Sequence, residues 1–153
     1  MDEEIREFVA FWKRFRALTP AHYLQLPARR LLSAGGRRRT DDALVDYVIG
    51  LEALLGKADE RTELAYRFRV RGAVVLALTR AERRARSRAL NELYSLRSRV
   101  VHGMHSDESE LAAAMPIAED ALRRVWRWYF DHYPSGGTNV AGINRIDLDL
   151  LGP

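Results

Sequence analysis

The chain contains no cysteine and no long apolar run. Without cysteine it has neither a disulfide framework nor a thiolate nucleophile. The longest uninterrupted apolar run, Ala73 to Leu78, is far too short to cross a bilayer. The first residues are acidic and lack the basic-then-apolar order of a signal peptide. We therefore expect a cytoplasmic protein that does not enter the membrane.

Composition places the chain among folded globular proteins. Apolar residues make up 47% and charged residues 30% of its 153 positions, a balance that is not typical of disordered chains. This length suits one domain with a single core. We expect one helical domain over residues 1–133, followed by a tail over 134–153 that is either extended or disordered.

Lysine is almost missing, because 23 of the 25 basic residues are arginine. Arginine binds phosphate through two parallel N–H groups and stacks on bases, although it also accumulates for reasons unrelated to ligands. A net charge of +4 alone favours a nucleic-acid partner only slightly. The distribution is more informative, since seven arginines stand against two glutamates between Arg80 and Gly103.

Helical spacing of apolar residues dominates the chain, and strand signals are few. The pattern predicts an antiparallel bundle of about five main helices, with one or two short helices after the first. The predicted spans are about 2–18, 40–55, 59–78, 80–102 and 107–133. Thr79 and Glu82 have the spacing of a capping box. Gly56 suits a left-handed position after the second long helix, and Gly103 is expected to end the fourth.

The run from Leu93 to Gly103 places Arg97, Ser98, Arg99 and His102 near the end of a helix. Histidine exchanges a proton near neutral pH, and arginine holds a phosphate and stabilises charge that builds on it. In RNA cleavage, a histidine can take the proton from a ribose 2′-hydroxyl, which then attacks the adjacent phosphorus without a metal ion. This segment therefore favours phosphate chemistry.

Helical geometry restricts how such a site can be built. Arg97 and His102 are five residues apart, about 140° around an ideal helix, so they do not share a face. A site that uses both needs an unwound helix end, an arginine that reaches around, or a second copy of the chain. The alternative is structural, with a helix-terminal histidine that contacts carbonyls and arginines on a solvated face.

Two charged residues interrupt apolar helical stripes. Glu52 continues the stripe of Val45 and Ile49, and Arg71 interrupts the apolar face of the next helix. A buried carboxylate needs a partner, so the sequence suggests a Glu52–Arg71 pair or a Glu52–Arg97 pair. Alternatively, both side chains lie at stripe edges and reach water.

Three segments resemble a known family in order and spacing. They are Asp42–Gly56, Glu63–Ala73 and Leu93–Gly103, and they are similar to the HEPN domain, specifically its Apea-like branch, over roughly residues 40–130. The resemblance implies an all-α bundle that forms a homodimer about its motif helix, with no metal and no cofactor. It also implies a role in a defence or toxin–antitoxin system.

The resemblance further implies roles for individual residues. His102 is the expected general base and Arg97 the phosphate ligand of a metal-independent endoribonuclease that leaves a 2′,3′-cyclic phosphate. Glu52 matches the carboxylate of the family helix, whereas Ser98 replaces the Asn, Asp or His that often follows the arginine in active members. Arg99 and Arg71 are further candidates for supporting the site or binding RNA.

Other roles for the same fold remain open from the sequence. In one, the chain is a non-catalytic module that dimerises or binds nucleotides or partner proteins. In another, it is the antitoxin-like partner of a nucleotidyltransferase. His102 and His105 lack a third placed ligand, so no metal site is expected.

Overall fold

The computed structural model describes residues 3–151, with side chains described for 3–150, and this part of the chain forms α-helices and no strand. Seven helices follow one another along it: α1 (Glu3–Arg16), α2 (Gln25–Gly35), α3 (Thr40–Leu55), α4 (Leu64–Leu76), α5 (Arg80–Val101), α6 (Glu108–His132) and α7 (Val140–Leu151). None of these helices combines the length and apolar character that a transmembrane span needs. The prediction of an all-α bundle is confirmed.

Helix α3 lies at the centre of the bundle because it is apolar on most of its circumference. Its buried side chains are Ala43, Leu44, Asp46, Tyr47, Val48, Leu51, Leu54 and Leu55. A helix that is apolar on most sides is stable only when neighbours cover it. α2, α5 and α6 pack around it, and α4 packs against α5.

Local sequence signals fix several helix ends. The Thr79 side chain accepts the N–H of Glu82 while the Glu82 carboxylate accepts the N–H of Thr79, which confirms the capping box at the start of α5. Asp107 caps α6 in a similar way, by accepting the N–H of Ser109. Gly103 has a φ of 67° directly after α5, so the predicted stop is confirmed.

Two predictions around the end of α3 are wrong. Gly56 has a φ of −100° and is extended instead of left-handed. The next helix begins at Leu64 instead of about residue 59, because the segment between them is a loop. In that loop the Glu60 carboxylate accepts the backbone N–H of Lys57, and Glu63 adopts a left-handed φ of 56°.

The prediction of an extended or disordered tail is wrong over Val140–Leu151, which form α7. Ile143 and Ile146 are three residues apart, so on a helix they share a face, and both are buried. Just before this helix, the Asn139 side-chain amide donates to the carbonyls of Ala53, Leu54 and Gly56 at the end of α3. Residues 152 and 153, which the prediction includes in the tail, lie outside the described residues, and so do residues 1 and 2.

The seating of α7 depends on a glycine. A Cβ atom at Gly142 would lie 2.2 Å from Cε1 of the Tyr129 ring, which is itself fully buried on α6. Neither the ring nor the helix backbone can move aside without disturbing the core. A residue without a side chain is therefore needed where α7 crosses α6.

We expect Gly142→Ala to lower the free energy of unfolding by about 1–3 kcal/mol, because the added methyl group overpacks the contact with Tyr129. Urea unfolding followed by circular dichroism measures the loss. Gly137→Ala is the matched control, since a Cβ atom there meets nothing within 4 Å. Equal stability of the two variants would contradict the packing of α7 on Tyr129.

Candidate functional site

The two residues expected to be catalytic lie on different sides of α5. Arg97 is partly buried and faces α3, where its Nη2 donates to Oε2 of Glu52 at 3.2 Å. His102 lies at the end of the helix, exposed to solvent, and its backbone N–H donates to the Ser98 carbonyl. Position 97 lies in the regular helix and His102 is its C-cap, so the ideal-helix separation of about 140° agrees with their different surroundings.

Arg97 and Glu52 lie in a cleft of about 330 Å³ between α3, α4 and α5. The remaining residues that line this cleft are Leu55, Gly56, Glu60, Leu64, Arg67, Phe68 and Tyr94. His102 is not one of the lining residues. The Glu52–Arg97 alternative is therefore confirmed, and the pair is separated from the histidine within one copy of the chain.

Burial sets the ionisation of this pair. Desolvation raises the pKa of the Glu52 carboxyl, and the positive charge of Arg97 only partly counteracts it. The Nε atoms of Arg97 and Arg67 are both buried without a hydrogen-bond acceptor in the described part of the chain. The cleft therefore holds two guanidinium groups whose hydrogen-bonding capacity is incompletely used.

Arg71 belongs to a different arrangement, and the Glu52–Arg71 pairing is wrong. Its side chain is only 2% exposed and donates to both carboxylate oxygens of Glu60 at 2.7 Å and to both of Asp147 at 2.8 and 3.0 Å. A further bond reaches the Leu55 carbonyl at 2.8 Å. With its donors engaged and its surface covered, Arg71 has a structural role, and the expectation that it binds RNA directly is wrong. Its expected role in supporting the site stays a prediction.

The partners of Arg71 could not be predicted because both lie in segments whose secondary structure is predicted wrongly. Glu60 lies in the loop that the periodicity assigned to a helix, and Asp147 lies on α7, which was predicted as a tail. Hydrogen bonds from Arg71 are the main reason that the pKa of Glu60 is lowered to about 2. The sequence does contain one signal for this network. Arg71 interrupts an apolar helix face, and an arginine buried there requires carboxylates nearby.

The other two motif residues connect the end of α5 to its surroundings. Ser98 is partly buried, and its carbonyl accepts the N–H of His102. Arg99 forms an ion pair with Glu110 of α6, and its Nε is buried without an acceptor among the described residues. Arg99 thus links α5 to α6 close to His102.

A second cleft, of about 370 Å³, borders the turn after α5. Its lining residues are Arg39, Asp41, Val100, Gly103, Met104, His105, Ser106 and Leu111. Arg39, in the loop between α2 and α3, is already paired with Asp41 at 3.0 Å. No group of three or more His, Asp or Glu side chains within residues 3–150 is arranged to hold a metal ion.

The candidate residues therefore lie at two separate places on the chain. One is the Glu52–Arg97 cleft, and the other is the exposed imidazole at the end of α5. Chemistry that needs both groups requires a second copy of the chain or a rearrangement of the helix end.

No family model, curated protein or solved structure matches this chain. The resemblance to HEPN domains accordingly stays a prediction from the three sequence segments.

The lowered pKa of Glu60 makes the free energy of unfolding depend on pH. Because this pKa is lowered from 4.5 to about 2, Glu60 stabilises the fold fully above pH 4.5, and that contribution is lost as the pH falls towards 2. We expect Glu60→Gln to cost about 1–3 kcal/mol at pH 7 and to show a smaller deficit at pH 2.5. Thermal unfolding across this range measures the difference. Glu63→Gln, on an exposed side chain, is the control; a deficit that does not change with pH would contradict the pairing.

The pKa shift of Glu52 affects stability in the opposite direction to that of Glu60. Because burial raises its pKa, ionisation of Glu52 opposes folding, and this effect is absent below pH 4.5, where the carboxyl is protonated in both the folded and unfolded states. We expect Glu52→Gln to leave the free energy of unfolding at pH 7 unchanged or increased, relative to the wild type, with the advantage disappearing at pH 4. Glu92→Gln, exposed on α5, is the matched control. A loss of more than about 1 kcal/mol in Glu52→Gln would mean that the ion pair is a net stabiliser.

Proposed function

We propose that the chain is a HEPN-like helical module that binds RNA at the C-terminal end of α5 and cleaves it, as a homodimer, without a metal ion. The observation that carries this proposal is the position of His102, whose imidazole is exposed at the end of a helix, within one turn of Arg99. An exposed imidazole can meet a substrate without any rearrangement of the fold.

The separation of Arg97 from His102 supports a composite site. A single copy holds the two groups on different faces of α5, and the helix end of a second copy can bring them into one cleft without any rearrangement of α5. Two copies related by a twofold axis bring the same surface of each chain together, and they would contribute these groups from both helices.

In the proposed reaction, His102 removes the proton from a ribose 2′-hydroxyl. The 2′ oxygen attacks the adjacent phosphorus, the bond from phosphorus to the 5′ oxygen breaks, and that oxygen takes up a proton. The products are a 2′,3′-cyclic phosphate and a 5′-hydroxyl end. Arg97 stabilises the negative charge that builds on the phosphate oxygens.

One observation favours a second function, a non-catalytic dimerisation or binding module. Arg97 is already paired with Glu52 of its own chain, and it lies in a cleft that lacks a histidine. In that function the pair links α5 to α3 within one copy of the chain, and His102 remains an exposed surface residue.

We expect the wild type to cleave single-stranded RNA in the presence of EDTA, and His102→Ala to lose at least about 100-fold in rate, the range in which general acid–base catalysis contributes. Product analysis should find 2′,3′-cyclic phosphate ends, and a substrate with a single 2′-deoxyribose at the cleaved position should resist. His105→Ala is the matched control, because His105 is a second exposed histidine three residues away.

Equal cleavage by the wild type and His102→Ala would remove His102 from the mechanism. If the wild type does not cleave RNA at all, and Arg97→Ala lowers the melting temperature or disperses the dimer, the non-catalytic function is correct. Sedimentation velocity of the wild type measures the dimer in both cases.

A further inference from the structure

A basic groove far from the motif lies between α4 and α5. Its cavity measures about 340 Å³ and is lined by Arg69, Val70, Ala73, Val74, Arg83, Arg84, Ser87, Arg88 and Leu150. We call this surface the arginine groove. Arg84 and His102 are separated by 18 residues of one helix, or about 27 Å along its axis. The groove is thus distinct from the site of the proposed function.

The rim of the arginine groove is positive, and no carboxylate lines it. Two of its four arginines are held by neutral groups: Arg69 donates to the Ser87 hydroxyl at 3.3 Å, and Arg83 donates to the Ala77 carbonyl at 3.2 Å. Arg84 and Arg88 are exposed, and neither forms an ion pair with another residue in the span 3–150. The rim therefore carries unneutralised charge, which makes it a site for an anionic partner.

The floor of the arginine groove is aliphatic. Val70, Ala73 and Val74 of α4 form it, and Leu150 of α7, which is 41% exposed, closes one end. No aromatic side chain lines the cavity, so the floor offers no surface on which a base could stack. Apolar side chains of a protein partner would lose water contact on this floor, whereas a phosphate backbone would gain nothing from it.

The spacing of the free arginines matches a helix. Arg84 and Arg88 are four residues apart, so they lie on one face of α5 about one turn from each other. Two carboxylates at positions i and i+4 of a docked helix have the same separation. Apolar residues on the neighbouring face of the docked helix would point to the aliphatic floor, which is the arrangement of an amphipathic helix in a groove.

We propose that the arginine groove docks an acidic amphipathic helix of a partner protein. The partner helix places aliphatic side chains on Val70, Val74 and Leu150, and its glutamates or aspartates pair with Arg84 and Arg88. Both the charge of the rim and the apolar floor are then used by one ligand.

The test is fluorescence anisotropy with three labelled probes and the full chain. The first is a 16-residue helical peptide with leucines at positions i, i+3, i+4 and i+7 flanked by glutamates. The second is a shuffled peptide of the same composition without an apolar face, and the third is a single-stranded oligouridylate. We expect the amphipathic peptide to bind at least about tenfold more tightly than the shuffled peptide, because only the first can use the floor.

Variants of the groove separate its two parts. Arg84→Glu combined with Arg88→Glu should weaken peptide binding at least about tenfold by reversing the rim charge. Leu150→Glu should weaken it to a similar degree by making the floor polar. The control is Arg29→Glu combined with Arg38→Glu, which changes the net charge equally at two exposed arginines outside the groove and should leave binding unchanged. Circular dichroism checks that each variant keeps its helix content.

Three results would overturn the proposal. The first is no binding of the amphipathic peptide to the wild type, and the second is equal binding of the shuffled peptide, which would indicate attraction by charge alone. The third is tight binding of oligouridylate that depends on Arg84 and Arg88, which would make the groove a nucleic-acid surface. RNA cleavage by His102 is measured separately, so failure of either proposal leaves the other standing.

Discussion

The fold depends on one buried guanidinium. Arg71 lies in the interior of the bundle and is tied to the loop after α3 through Glu60, to α7 through Asp147, and to the last turn of α3 through the Leu55 carbonyl. A charge in this position is tolerated only if its hydrogen bonds are satisfied. Three segments that are distant in sequence must therefore meet at one side chain, and this requirement fixes where α7 lies.

The same arrangement supplies one wall of the Glu52–Arg97 cleft. Glu60 contacts Arg71 on one side and Arg67 on the other, and Arg67 lines the cleft together with Arg97. The position of the motif arginine is thus connected to the buried network through packed, charged neighbours. His102 has no such connection, since it lies beyond the cleft at the exposed end of α5.

Local signals were sufficient for most helices but not for the site. The capping box at Thr79 and the glycine at 103 act within a few residues, so the sequence predicts both ends of α5. The Glu52–Arg97 pair was one of two alternatives that the interrupted apolar stripes suggested. The partners of Arg71 are 11 and 76 residues away, and periodicity contains no information about contacts at that separation. The prediction for the tail is wrong because Ile146, Leu148 and Leu150 alternate with polar residues, as in an extended segment. The three-residue spacing of Ile143 and Ile146 is the helical signal, and it places both buried side chains on one face of α7.

The side chain of Asn139 has a consequence for the order in which the molecule forms. Its amide satisfies three carbonyls at the end of α3 that are 83 to 86 residues earlier in the chain. Those carbonyls cannot receive these hydrogen bonds until residue 139 has been synthesised, which is after α4, α5 and α6. Contacts of this length also slow folding, because a long loop must close before they form. The end of α3 is therefore completed late, when the segment around Asn139 closes onto it.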